Sequence, residues 1–464
     1  MTYPYFPKWK SVKRNQGREY MKRTSRMLQL SVLGLLGVLS SQAYTAGYKL
    51  EFQSASVLAD AGEAAVVEDA GTNWYNPAGL VYLPLQVVLS SIDVYAPTKF
   101  TGSVNAPSTL NQFGPPISDF ASNFTNSGTA SSHPNSVLPA MHLSAPLSSN
   151  VALGVSVVPA WGFTEDYGES SLLRYNLTRV YTKTLDISPS VAWQLNNQWS
   201  FGIGPDFHYF SVESKTHVRT ESTLPAVVGT VGDSISRFTA DKWGFGGHAG
   251  ILYRITDATR VGLNYRSKLI MDLEGFSDFG LGQGGFFETS QFRLPVTLPP
   301  TTTLSVYHDI TPCWALMGTI AYDEWSTIKN YHGRNDIQPP TPTNHSGILP
   351  NVTLPQNMSN TFDFSVGTHF KLNDKWMLRG SFKYESTPTT SSFRDVDFPD
   401  GNKYGFQIGS RYQANNKIAI DLIYGHVFVK TIHINDVNPV SGAIASGHSS
   451  TSIDLLGGQL VWSI

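Results

Sequence analysis

Gly280, Gly282 and Gly285 have the spacing of a dinucleotide-binding loop. Such a loop needs a strand before it, a helix after it and a later acid for the ribose. Gly284, Phe286 and Phe287 surround these glycines instead, which reads as a flexible surface loop. The 12 histidines form no HExxH pattern, and Cys313 stands alone, so neither a cysteine-based zinc site nor an intramolecular disulfide is available. No GxSxG elbow occurs and no Ser/His/Asp set stands out for acyl transfer. His208 and His248 sit at alternating positions of strand-like segments and read as hydrogen-bonded wall residues. The expectation is a protein that is not an enzyme and uses no cofactor or metal. Pro159 is more informative. Val151 to Val158 reads as a strand, and Pro159-Ala160-Trp161-Gly162 interrupts it. Proline has no N–H to give a ladder, and in a closed barrel every strand is paired on both sides. The strand therefore bulges, ends or bends there, either because it has reached a membrane surface or because the wall opens.

The elements that would position these residues are strands. After residue 84 the hydrophobic period is two. In Trp199-Ser200-Phe201-Gly202-Ile203-Gly204 the odd positions are large and apolar and the even ones small or polar. Ile418, Ile420, Leu422 and Tyr424 alternate with Ala419, Asp421, Ile423 and Gly425. Successive side chains of a strand point to opposite faces, so one face would meet lipid and the other line an interior. Short turn-forming connections (Ser148–Asn150, Asn196–Gln198, Thr256–Thr259, Thr311–Pro312, Asn373–Lys375, Asn415–Lys417) alternate with long ones at 98–137, 216–239, 275–295, 327–356 and 433–449. Trp199, Trp314 and Trp376 each follow a short turn, where an interfacial aromatic belt belongs. The expectation is an all-β protein, a transmembrane antiparallel barrel of about 14 strands with the long connections outside the cell. Residues 47–83 are rich in Ala, Gly and acids and lack this alternation, which suits a compact plug in the lumen.

Composition agrees. Only 15% of the 464 residues are charged and 12% are aromatic, against about a quarter charged in ordinary soluble domains. Met21–Arg26 is basic, Leu28–Leu39 is apolar, and Ser41-Gln42-Ala43 offers small residues for cleavage, the three parts of a secretory signal peptide. Residues 1–43 carry Lys8, Lys10, Lys13, Arg14, Arg18, Lys22, Arg23 and Arg26 against one acid, Glu19. Without them the formal charge falls from −2 to about −9. So acidic a body excludes nucleic acid as a partner, because phosphate neutralisation needs clustered Lys and Arg.

Several segments, in order, resemble the FadL family of long-chain fatty-acid transporters of the bacterial outer membrane. They are Ala46-Gly47-Tyr48-Lys49-Leu50, Gly62-Glu63-Ala64-Ala65, Glu68-Asp69-Ala70-Gly71, Asn76-Pro77-Ala78, Met141-His142, Trp199-Ser200-Phe201-Gly202, Trp243-Gly244-Phe245 and Tyr265-Arg266-Ser267. The resemblance spans the mature chain. With the leader and signal peptide read over 1–43, it implies a hatch over 44–83 and a barrel over 84–464. Gly47, Asn76, Pro77 and Ala78 would belong to the gating hatch. Pro159, Ala160, Trp161 and Gly162 would form the inward kink of the third strand, a lateral opening into the bilayer. The residues that face a fatty-acid carboxylate in the family fall in segments of different length here, leaving Lys215 and Arg219 at the fifth strand's outer end as candidates. The partners implied are a long-chain fatty acid or other hydrophobic ligand, outer-membrane lipid and the barrel-assembly machinery. Aromatic hydrocarbons, which relatives import, and a non-specific outer-membrane pore are the alternative readings.

Overall fold

A computed structural model describes residues 48–107, 124–219, 233–280, 286–335 and 351–464. Gly47, the leader, the signal peptide and the glycine-spaced residues 281–285 lie outside these.

Fourteen strands close on themselves: β1 (Gln86–Tyr95), β2 (Asn135–Pro146), β3 (Val151–Val158), β4 (Arg179–Gln194), β5 (Trp199–Val218), β6 (Ser234–Arg254), β7 (Thr259–Arg266), β8 (Thr301–Thr311), β9 (Trp314–Asp323), β10 (Thr361–Lys371), β11 (Trp376–Glu385), β12 (Lys403–Gln413), β13 (Ile418–Val429) and β14 (Ile444–Ser463). Each pairs antiparallel with its neighbours in this order, and β1 joins β14 from Gln86↔Ser463 to Tyr95↔Asp454. Closure leaves no free sheet edge in the hydrocarbon, which a membrane demands because lipid cannot satisfy backbone groups.

The wall is inside out relative to a soluble protein. Phe207, Phe245, Leu263, Ile320, Phe364, Ile408 and Leu422 are exposed, while Ser200, Asp206, His208, His248, Ser365, Asp421 and Gln459 are buried. The period-two pattern therefore puts its apolar set on lipid and its polar set in the lumen.

The short turns share one design. Asn196, Asn373 and Asn415 each accept from the backbone N–H groups two and three residues on, at 2.8–3.1 Å. Asparagine closes such turns with its own side chain. Trp199 and Trp376 follow directly, and they are exposed at the barrel's rim with Trp314 and Trp462.

At the other end the long connections are not plain loops. Thr98–Ala106 and Phe124–Ser132 pair with each other, and the former also pairs with β14. Leu269–Gly280 pairs with Phe286–Leu298 and with the top of β6. Asn330–Asn335 pairs with Val352–Pro355, and Ile432–Val437 with β14. The expectation of loops at 98–137, 275–295, 327–356 and 433–449 is corrected accordingly. About 9–11 residues span a membrane as a tilted strand, and β5, β6 and β14 have 20, 21 and 20 residues. Their excess rises above the lipid and offers ladder partners to polar segments. Ser-, Thr- and Asn-rich stretches such as Phe124–Ser132 show no apolar alternation in water, so their strands were hidden.

Candidate ligand site

Two helices and a turn of 3-10 helix carry the N-terminal segment through the lumen: α1 (Ala55–Asp60), α2 (Thr72–Tyr75) and Pro77–Tyr82. Nearly all of residues 48–83 are buried. Asn76 anchors the turn. Its amide donates to the carbonyls of Ala64 (2.7 Å) and Ile251 (3.0 Å), and its Oδ1 caps the Ala78 N–H (3.1 Å). Pro77 follows at the first helical position, where no donor is missed. The wall makes room with glycine. A Cβ at Gly250 would collide with Asn76 Oδ1, and one at Gly202 would come 2.6 Å from the Ala78 nitrogen. Asn76, Pro77 and Ala78 are thus placed together, pressed between the rest of the N-terminal segment and strands β5 and β6.

A buried ionic network ties the same segment to the opposite wall. Arg379 on β11 pairs with Asp60 and with Glu68 (2.6 Å). Arg411 on β12 pairs with Glu68 (3.1 Å), Asp69 (2.8 Å) and Asp421 (2.7 Å). His369 stands 3.2 Å from Glu68. Asp60, Glu68 and His369 bring ligand-type atoms within 4.8 Å of one another. Two guanidinium groups already neutralise those carboxylates, so the cluster reads as a fastening rather than a metal site. Its partners were legible in principle, since His369, Arg379, Arg411 and Asp421 all take the lumen-facing phase of their strands.

Pro159 to Gly162 leaves the wall. Strand β3 pairs with β2 only from Ala152 to Val157, and Asn135–Ala140 of β2 keep a ladder with β1 alone among the described strands. The chain turns inward and meets the plug, with Lys49 and Trp161 bridged, Leu50 N–H donating to the Ala160 carbonyl (2.8 Å) and Gly162 N–H to that of Tyr48 (2.7 Å). Thr184 and Thr182 of β4 accept from the N–H groups of Trp161 (3.2 Å) and Phe163 (2.5 Å), replacing the lost ladder. Gly162 holds φ +151°, which an L side chain rarely adopts. The wall resumes at Thr164–Asp166, paired with β4. All four residues singled out in the sequence therefore form one inward kink.

An apolar chamber of about 120 Å³ lies against Tyr48 of the N-terminal segment and Phe163 beside this kink. Phe163, Phe210, Val212, Phe238, Val296 and Phe398 give it apolar walls. Tyr48 closes it below, ringed by Trp161, Phe163, Trp325 and Phe398 at centroid distances of 5.1–6.1 Å, with its hydroxyl on that of Tyr331. Sequence reasoning passed over Tyr48 except as part of a matching motif, and it missed Tyr331 and Phe398. Tyr48 and Phe398 sit in irregular segments where periodicity says nothing, and Tyr331 sits in a short polar strand without apolar alternation.

Asp395 and Asp397, from the β11–β12 connection, are the chamber's charged lining. Burial pushes the Asp395 carboxyl up to about 6, against the Phe398 N–H and Gln356 amide that it accepts. Burial, then repulsion from Asp395, Asp436 and Glu165, holds Asp397 well above the usual carboxylate range. Lys215 and Arg219 do not line the chamber. Phe210, Val212 and Ser214 face it, so Lys215 points to the other face of β5, where it holds Glu169 at 2.6 Å. Arg219 is buried and reaches the Ala106 carbonyl.

A closed barrel with an apolar exterior, an occupied lumen and an apolar chamber defines an outer-membrane transporter of hydrophobic compounds. Residues 36–460 match the family described as outer membrane protein transport protein (OMPP1/FadL/TodX), and the chain belongs to that family. It is 25% identical over 419 residues to the long-chain fatty acid transport protein of Escherichia coli O6:H1, covering 83% of this chain and 88% of the relative. It shares its fold with a Pseudomonas aeruginosa FadL homologue, with a TM-score of 0.76, 20% identity, and coverage of 90% of this chain and 100% of the other. The Ralstonia pickettii toluene transporter TbuX superposes with a TM-score of 0.63 at 17% identity, covering 89% and 99%.

Proposed function

We propose that the protein imports long hydrophobic molecules passively, of the kind a fatty acid represents, and releases them sideways into the bilayer of the outer membrane. Residues 44–83 act as the hatch, with Gly47 and Asn76-Pro77-Ala78 as its gating parts, and Pro159–Gly162 form the exit. The observation that carries this reading is adjacency. Phe163 and Thr182 line the chamber and belong to the kink and its neighbouring strand, so a ligand at rest there lies against the interruption in the wall. Burial of an alkyl chain contributes about 0.8 kcal/mol per methylene, so the chamber fills without fuel. Exit downward past the hatch would return that chain to water, whereas lateral exit keeps it in hydrocarbon. Chamber size supports a second reading, an aromatic hydrocarbon as cargo, because its volume of about 120 Å³ is of the order of the roughly 150 Å³ cavity that takes up benzene.

The test is to replace Pro159–Gly162 with Val-Thr-Val-Thr, which supplies the missing donors and restores alternation. Uptake of a labelled ligand by cells should fall at least tenfold while binding to the purified protein persists. Surface expression is checked by heat-modifiable gel mobility. Undiminished uptake through a variant whose wall is closed would refute lateral release.

A further inference from the structure

Ile432–Val437 lies at the edge of the sheet that rises above the lipid, laddered to β14 and to no other described strand. Its inner face buries Ile432 and Ile434. Its outer face sets His433 directly opposite His448 of β14, both exposed, with ring centroids 5.1 Å apart and planes at 60°. The two stand 15 residues apart in the chain on separate strands, so no ligand spacing in the sequence betrays them. Neither ring makes a hydrogen bond or ion pair among the described residues. Other exposed histidines are engaged: His133 with Tyr95 (3.4 Å), His308 with Thr259 (2.8 Å) and His332 with Thr353 (3.1 Å). The spacing of the pair has a chemical meaning. A zinc ion bound to an imidazole nitrogen at about 2.0–2.1 Å stands roughly 3.2 Å from the ring centroid, and a tetrahedral angle then sets two such centroids about 5 Å apart. The ladder fixes both Cα positions, so the rings need only turn about their side-chain bonds to converge on one ion. Asn435 and Ser446, the next pair on the same face, and Thr101 beside His448 bring no charge, which leaves the other coordination positions to water. Imidazole suits zinc, copper and nickel, whereas calcium and magnesium take oxygen ligands.

We propose that His433 and His448 form a two-histidine site for a divalent transition-metal ion of the zinc, copper or nickel class, and that the ion pins Ile432–Val437 to β14. The protein, purified from outer membranes without a histidine tag and held in lipid nanodiscs, is titrated with zinc, copper(II) and calcium ions by calorimetry. Zinc should bind at one ion per chain, copper(II) more tightly in the usual order of affinities, and calcium at least a hundredfold more weakly than zinc. His433→Ala and His448→Ala should each weaken zinc binding at least tenfold, with folding checked by heat-modifiable gel mobility and Asn used where the Ala variant does not fold. His332→Ala, which removes a histidine already bonded to Thr353, should leave it unchanged. Electron paramagnetic resonance of the copper(II) form should show two imidazole nitrogens in the unaltered protein and one in either single variant. Zinc at a hundred times its Kd should slow amide exchange across 432–437 about a hundredfold, and should not do so in the double variant. The proposal is overturned if zinc does not bind saturably, if calcium binds as tightly, or if only one of the two histidines matters. Zinc binding that persists in the double variant, or exchange at 432–437 unmoved by zinc, places the ion elsewhere and overturns it equally.

Discussion

Asn76 shows how much one side chain can hold. It satisfies two carbonyls, one in its own segment and one on strand β6, and caps its own turn. Leaving buried partners unsatisfied costs about 1–3 kcal/mol. Asn76→Ala should therefore destabilise the plug by that amount without touching the barrel ladder. Hydrogen exchange at 64–78 should accelerate about tenfold or more while the strands stay protected and heat-modifiable mobility is unchanged. Slowed or unchanged exchange would mean the turn is held by packing alone. This residue was legible in the sequence because Asn-Pro is a local turn signal with a fixed geometry. Gly162 was legible as the glycine that ends the Pro159–Gly162 interruption of a strand pattern. Lys215 faces away from the chamber because one residue of phase turns a side chain to the other face of β5. Asp395 and Asp397 left no signal, since their connection has no period and their burial depends on segments far away in the chain.

The elements divide by whether their pattern is local. The barrel strands follow period two, so most of their bounds and the count of fourteen could be read directly. The strands that rise above the lipid could not, because they are stabilised by pairing with the ends of longer strands rather than by apolar alternation. The N-terminal segment in the lumen is a third case. Its helices are short, with 6 and 4 residues in α1 and α2, too short to persist alone, so the surrounding wall must hold them. The network around Arg379 supplies much of that hold. Removing one partner of a buried ion pair costs about 3–5 kcal/mol because the remaining charges are stranded. Arg379→Met leaves Asp60 without its guanidinium partner, Asp421 with Arg411, and Glu68 with Arg411 and His369. The plug should loosen while the barrel, whose ladder is untouched, stays closed. In planar bilayers the variant should show small-solute conductance well above the unaltered protein and approaching that of a chain lacking 44–83. A tight variant with normal expression would show that apolar packing, not charge, seats the plug.

At the scale of the whole molecule, the two ends differ in kind. One end carries the terminal residue Ile464, bonded to Leu85, and turns closed by asparagine side chains. The other carries paired strands, the acidic connection and the mouth of the chamber. Short turns face the periplasm in barrels of this type and long connections face the exterior, and capture from outside requires that orientation. The chain provides its own probe. Cys313 is its one cysteine, exposed in the β8–β9 turn, where its carbonyl accepts from Lys371 at 2.8 Å. A membrane-impermeant maleimide should therefore leave intact cells unlabelled and label Cys313 once the outer membrane is permeabilised. Cys313→Ser combined with Ser392→Cys moves the thiol to an exposed position in the 386–402 connection, and this variant should label in intact cells. Accessibility alone does not explain a difference, because both positions are exposed; only the side of the membrane distinguishes them. Labelling of Cys313 in intact cells with none at position 392 would invert the barrel, turn the chamber mouth toward the periplasm and make the proposed direction of transport untenable.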